Sequence, residues 1–228
     1  MSKNPPFEKK LVLATGNAGK VREMKAVLSS LDYEVISQRE LGIEDAVEDG
    51  LSFVENSLIK ARHASRLTGL PAVADDSGIS VDALNGAPGI YSARYADVGV
   101  DGDGNNDDHS NGNSDDQANN DLLLEKMRDI PASDRDAQFV CVLSYVRHAD
   151  DPLPIIAQGI WRGSILFEQR GTEGFGYDPL FWVSSHNMAS AELAPDVKRS
   201  ISHRGQALDL LCKQLREQAY YFKHDIRA

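Results

Sequence analysis

Cysteine is scarce in this chain: Cys141 and Cys212 are the two among 228 residues. That excludes a disulfide framework and a cysteine-rich metal centre, and fits two separate buried thiols. Long apolar runs are also missing. No stretch approaches the roughly 20 apolar residues that span a bilayer, so no membrane partner is expected. The opening Met-Ser-Lys-Asn-Pro-Pro-Phe-Glu-Lys-Lys lacks the apolar centre of a signal peptide, and the expectation is a cytoplasmic protein. Internal repeats are absent too, which sets aside solenoids and propellers. What is present is a hydrophobic fraction of 41%, compatible with a packed core.

Positive charge is in deficit. The net charge of −11 argues against a general nucleic-acid partner. Its distribution is uneven: residues 97–121 contain eight Asp and no Lys, Arg or Glu, and the remainder of the chain carries −3. A local basic pocket for an anionic small molecule therefore stays open. The acidic stretch, built from Asp, Asn and Gly, has no apolar surface to bury and reads as a mobile surface loop. Asp101-Gly-Asp103-Gly-Asn105 hints at a calcium loop, but Asn106 and Gly112 stand where that motif needs Gly and Glu.

Periodicity places the elements. Leu11 to Ala14 is a short continuous apolar run, the mark of a buried strand. Val21, Met24, Val27, Leu28 and Leu31 then recur at helical spacing, with Asn17 as N-cap. Ser52-Phe-Val-Glu55 is a capping-box pattern that opens a helix running to about Thr68, stopped by Gly69 and Pro71. Ala72–Ala74 reads as a short strand and Ile79–Leu84 as another. A helix is expected over Leu122–Arg128 and a central strand over Phe139–Val146. Ile155–Trp161 and Ser164–Glu168 read as a hairpin around Arg162-Gly163. Leu208, Leu211 and Leu215 supply the stripe of a last helix. Strands and helices intermix without strict alternation, which points to α/β with a mixed sheet.

Four stretches carry chemistry. Thr15-Gly-Asn-Ala-Gly-Lys20 is a glycine-rich strand-to-helix turn ending in lysine. It lacks P-loop spacing, because two residues, not four, separate its glycines and Val21 follows the lysine. It is either another phosphate site, using free helix N–H groups, or an ordinary capped turn. Val73-Ala-Asp-Asp-Ser-Gly78 sets two carboxylates directly after a buried strand. Successive strand residues face opposite ways, so one Asp can face a cleft while the other orients its neighbour. A carboxylate beside a phosphate site suits Mg²⁺; an Asx turn is the plain alternative. Gly174-Phe-Gly-Tyr-Asp-Pro179 offers the ring of Phe175 and the ring and hydroxyl of Tyr177, as a purine slot would, or as an aromatic core strand would. Lys198 and Ser202-His-Arg-Gly-Gln206 bring donors for a base edge or phosphate, or simply begin a solvated helix.

Together the four stretches resemble the inosine triphosphate pyrophosphatase family, the XTP/dITP diphosphatases. Thr15–Lys20, Ala74-Asp-Asp-Ser-Gly78, Gly86-Ala-Pro-Gly-Ile-Tyr-Ser-Ala-Arg94, Gly174-Phe-Gly-Tyr-Asp178 and Ser202-His-Arg-Gly205 occur in family order, from about Lys10 to Arg216. The resemblance implies a long mixed twisted sheet flanked by helices, in two lobes with the active site in the cleft between them. It implies one such domain over 10–228, after an extension at 1–9 and interrupted by the acidic loop at 97–121. It implies Mg²⁺-dependent hydrolysis of purine nucleoside triphosphates (XTP, ITP, dITP) to monophosphate and pyrophosphate, by a homodimer. Thr15, Gly16, Asn17, Ala18, Gly19 and Lys20 would hold the triphosphate, with Lys60 nearby and Ser77 touching substrate. Asp76 would accept the proton and bind the metal with Glu48. Phe175, Gly176, Tyr177, Asp178, Lys198, His203 and Arg204 would form the base pocket. Both the acidic loop and the extension are longer than the family pattern.

A serine nucleophile is not supported, since the chain has no Gly-x-Ser-x-Gly. Two rivals remain at this level: a phosphatase or kinase on another phosphorylated metabolite, and a non-enzymatic nucleotide sensor.

Overall fold

The computed structural model describes residues 9–98 and 115–224. The expectations for the N-terminal extension and for the centre of the acidic stretch, the rejected calcium loop included, lie outside the described residues. In chain order the elements are β1 (Lys9–Ala14), α1 (Ala18–Leu28), β2 (Tyr33–Ser37), α2 (Phe53–Thr68), β3 (Ala72–Val81), α3 (Tyr95–Val98), α4 (Asp116–Lys126), β4 (Asp136–Val146), β5 (Ile155–Ile165), β6 (Phe181–Val183), β7 (Met188–Ala189), α5 (Pro195–Ile201) and α6 (His203–His224). The strands form one seven-stranded sheet in the order β2-β1-β3-β4-β5-β6-β7. β1 runs parallel to β2 and β3, while β5–β6 and β6–β7 are antiparallel. The sheet is thus mixed and helix-flanked, as the α/β reading expects.

Local chemistry starts and stops the helices where the sequence signals do. Asn17 is extended, and its side-chain oxygen accepts from the N–H groups of Gly19 and Lys20, satisfying two donors that the first turn of α1 leaves free. Ser52 caps α2 through the Glu55 N–H, and the Glu55 carboxylate reaches back to the Leu51 N–H at 2.9 Å. Gly69, in the left-handed region, ends the helix.

The chain clusters into two compact units. The first holds residues 1–76, 142–158 and 207–228; the second holds 77–141 and 159–206. In the first unit, small residues line the meeting of helix and sheet: Ala61 and Ala64 of α2 pack with Val12, Ala14, Ala72 and Ala74. Ser57 donates to Ser144 at 2.8 Å, tying α2 to β4. The second unit has an aromatic core that includes Phe139, Trp161, Tyr177 and Phe181, with Ile79, Leu123 and Leu180.

Three expectations need correction. The Asp-Asp-Ser-Gly segment is no turn after a strand: Ala72–Val81 is one strand of ten residues, and Asp82–Leu84 is a 3₁₀ turn rather than strand. Turn-forming residues stay extended here because tertiary partners, described below, engage both carboxylates. Nor is there a hairpin at Arg162-Gly163, since Ile155–Ile165 is continuous. Gly163 marks a close approach instead: a Cβ there would lie 2.7 Å from the Phe181 ring, on the paired strand β6. Finally, α4 begins at Asp116, not Leu122, so the end of the acidic stretch is helix, capped by Asp115 through the Ala118 N–H.

Arg135 anchors the far end of α4. Only 2% exposed, it donates to the carbonyls of Met127, Ile130, Ile165 and Leu166 at 2.6, 3.2, 2.8 and 2.8 Å. Burial lowers its guanidinium pKa, yet the four acceptors satisfy it. Arg135→Met keeps the volume and strands those carbonyls. It is expected to cost about 2–4 kcal/mol of unfolding free energy in urea titration.

Candidate active site

The first unit gathers charge around β3. The parallel register sets Ala14 beside Ala74, so the turn leaving β1 and the aspartates following Ala74 become neighbours. Lys20, at the start of α1, donates to Asp75, whose side chain is wholly buried. Lys60 projects from α2 and donates to Asp76 Oδ1 at 2.7 Å and to Glu48 Oε2 at 3.2 Å. The alanine seam under α2 brings the helix close enough for that reach. The two aspartates thus take separate lysines. Thr15 is buried, with its hydroxyl accepting from the Asn17 N–H at 3.3 Å. Gly16 lies in the turn, and Ala18 and Gly19 are the first two residues of α1.

Burial dominates the electrostatics of Asp76. It pushes the carboxyl up to about 6, the Lys60 ammonium pulling it down less than burial and Glu48 lift it. For Lys60, burial acts against the cation, but Asp76 and Glu48 outweigh it and its pKa is raised. Lys60 therefore remains charged. Asp76 Oδ2 is buried and has no hydrogen-bond partner among the described residues. An orphan carboxylate oxygen is expensive unless something positive completes it, so this donor set fits a hard divalent cation. Among the described residues no group of three or more His, Cys, Asp or Glu is arranged to hold an ion. Two carboxylates, completed by phosphate and water oxygens, match how Mg²⁺ binds.

The second unit gathers the remaining residues. Phe175 is 39% exposed, with the Lys198 ammonium 5.7 Å and the Arg204 guanidinium 5.5 Å from its ring centre. Asp178 is buried and fully engaged: it accepts from Lys198, from the Phe175 N–H at 2.9 Å and from Ser190 Oγ at 2.7 Å. Arg204 donates to Ser77 Oγ at 3.1 Å. His203 is stacked on Phe139, centroids 4.7 Å apart and planes at 11°. Tyr177 is not open to a ligand: it is 4% exposed, and its hydroxyl donates to the Ser92 carbonyl at 2.8 Å. Burial raises its pKa far above the ordinary phenol value, so it stays a neutral donor. Gly176 is held through its backbone by Asp116 and Asn120.

Several contributors escaped the sequence reading. Arg39 places its guanidinium within 3.2 Å of where a Gly16 Cβ would sit, adding a cation to the glycine turn. Ser190, Asp116 and Asn120 brace the Phe175–Asp178 loop. An Asp and an Asn four residues apart on α4 was the available signal, hidden inside a low-complexity run.

Because the Asp76 value lies above its ordinary one, the folded protein keeps that proton between about pH 4 and about pH 6, where the unfolded chain has lost it. The stability this gives is full below about pH 4 and gone above about pH 6. In metal-free protein, the thermal midpoint of Asp76→Asn should therefore gain on wild type as pH rises from about 4 to about 7. Thermal unfolding across that range checks it; a pH-independent gap would refute the burial argument.

Comparison with known proteins follows the same residues. The Ham1 family model matches 11–214. The "dITP/XTP pyrophosphatase" of Vibrio cholerae is 53% identical over 211 residues, covering 92% of this chain and 98% of the relative. That of Escherichia coli K12 is 51% identical over 207 residues, covering 91% and 98%. Among solved structures, a HAM1 protein from Coxiella burnetii superposes with a TM-score of 0.80 at 45% identity, covering 91% of this chain and 98% of its own. With a family match spanning both charged clusters and near-full-length relatives at half identity, the chain belongs to the Ham1 family.

Proposed function

We propose that this protein is a Mg²⁺-dependent pyrophosphatase of aberrant purine nucleoside triphosphates (XTP, ITP and dITP), releasing the monophosphate and pyrophosphate. The carrying observation is Asp76: a buried carboxylate with one oxygen on Lys60, the other unpartnered among the described residues, and a pKa near 6. Relatives named dITP/XTP pyrophosphatase support the substrate class.

In this reading the charged cluster around β3 takes phosphate. Thr15 to Lys20 take phosphate oxygens, the Lys20 ammonium supplying charge and, where phosphate displaces the Asn17 cap, the Gly19 and Lys20 N–H groups supplying donors. Water attacks the α-phosphorus, the bond to the bridging oxygen breaks, and pyrophosphate leaves. Asp76 accepts the proton of that water. Without a metal, burial holds that carboxyl near 6, so it is ionised at neutral pH and free to take a proton. Lys20 and Lys60 offset the charge that builds on the departing oxygens. Mg²⁺, held by Asp76 and Glu48, would polarise the phosphate and acidify water.

The cluster around Phe175 reads the base. Phe175 stacks on the purine, and Lys198 and Arg204 donate to its 6-oxo group. Adenine carries a donor there, which leaves these groups facing donor to donor. Buried polar mismatch of this kind discriminates strongly, up to roughly 10⁴-fold. Asp178 fixes Lys198, and Ser77 steadies Arg204. His203, packed in an aromatic stack, holds the start of α6 in place beside them. Homodimer formation stays part of this reading through the family resemblance. Among the described residues no helix is long and apolar enough to cross a membrane.

The decisive assay is a nucleotide panel with Mg²⁺. Pyrophosphate is expected from XTP, ITP and dITP and little from ATP, while GTP, which shares the 6-oxo group, is rejected by crowding at its 2-amino group; orthophosphate would indicate another phosphatase, and binding without turnover a sensor. Arg204→Ala should narrow the ratio of kcat/KM for dITP over dATP by about tenfold or more. An unchanged ratio would remove Arg204 from base reading.

A further inference from the structure

One stretch of the second unit is built around a single glycine. Gly176 sits in the left-handed region at φ +62°. Its N–H donates to Asp116 Oδ2 at 2.7 Å, and its C=O accepts from Asn120 Nδ2 at 3.0 Å. The two side chains are four residues apart on α4 and so share a helix face. They grip both polar groups of one residue as a paired strand would. This fixes the peptide planes on either side of Gly176, one of which leads from Phe175. Next along, the Tyr177 hydroxyl ties the loop to Ser92. Asn119, adjacent on α4, accepts from the Ala96 N–H at 2.8 Å and donates to the Ala93 carbonyl at 3.3 Å. Arg135 pins the other end of the helix to β5. α4 is therefore a strut anchored at both ends, with the loop clamped to its first turns.

We infer that Asp116 and Asn120 are positioning residues for base recognition, holding the Gly176 backbone so that the exposed face of Phe175 stays presented to the purine within reach of Lys198 and Arg204. The inference rests on the proposed assignment of this loop to the base. Neither residue touches the reacting phosphates; each acts through the backbone it bonds. An aspartate in the first turn of a helix also complements the helix dipole, so a purely structural role would show in stability. A positioning role shows in the affinity for the base-bearing ligand.

The test compares full-length wild type, Asp116→Ala, Asp116→Asn and Asn120→Leu, with inosine monophosphate and inorganic tripolyphosphate as probes in the presence of Mg²⁺. By calorimetry, Asp116→Ala and Asn120→Leu should each weaken inosine monophosphate about tenfold, while tripolyphosphate affinity stays within about twofold. Asp116→Asn retains a carbonyl acceptor and should restore most of the affinity. In steady-state hydrolysis of ITP, KM should rise in the same proportion, with kcat within about twofold. Unchanged inosine monophosphate affinity in Asp116→Ala would overturn the inference, as would equal weakening of both probes or failure of Asp116→Asn to rescue. Wild type that binds inosine monophosphate in this pattern but releases no pyrophosphate would sink the hydrolase reading alone.

Discussion

The chemistry of the first unit depends on keeping one carboxylate out of water. Asp76 is buried because β3 runs straight through the Asp-Asp pair, and β3 is placed by its parallel register with β1. Burial raises the pKa of the group, Lys60 pulls it down, and Glu48 lifts it again while helping to keep Lys60 charged. The result is a carboxyl held above its ordinary range, with burial outweighing the pull of the neighbouring ammonium. Move α2 outward and Lys60 loses its reach, which is why the alanine-lined seam beneath it matters as much as the charged residues above.

The second unit solves a different problem, that of holding donors still. Lys198 and Arg204 are long side chains with many rotamers, and each is fixed by a partner that has little freedom of its own. Asp178 uses both oxygens on the protein, taking Ser190 and the Phe175 amide besides Lys198. Ser77 receives Arg204 from within a strand. Tyr177 is turned inward to brace the loop, leaving Phe175 as its exposed ring.

Much of this was readable in the sequence where chemistry is local. Asn17 as a cap, Ser52 with Glu55, the stop at Gly69 and the buried run of β1 all follow from side chains acting on their own backbone. The motif stretches named the residues around both clusters. What misled was composition read without tertiary partners. Asp-Asp-Ser-Gly has turn chemistry, but lysines 55 and 16 residues away in sequence hold it extended. Gly163 resembled a hairpin tip because a glycine demanded by a neighbouring ring carries no mark of that demand. The first turns of α4 were lost in an Asp/Asn/Gly run, although Asn119 and Asn120 are among the buried polar residues. Tyr177 gave no sign of which way it would face.

Asn119 has a wider consequence for how the chain can change. It bonds Ala93 and Ala96 on one side of the 99–114 segment while standing, on the other side, four residues after Asp115. The two entrances to that segment are therefore stapled together by a single carboxamide. A displacement of residues 93–96 is therefore passed to the first turns of α4, and through them to the loop that α4 carries.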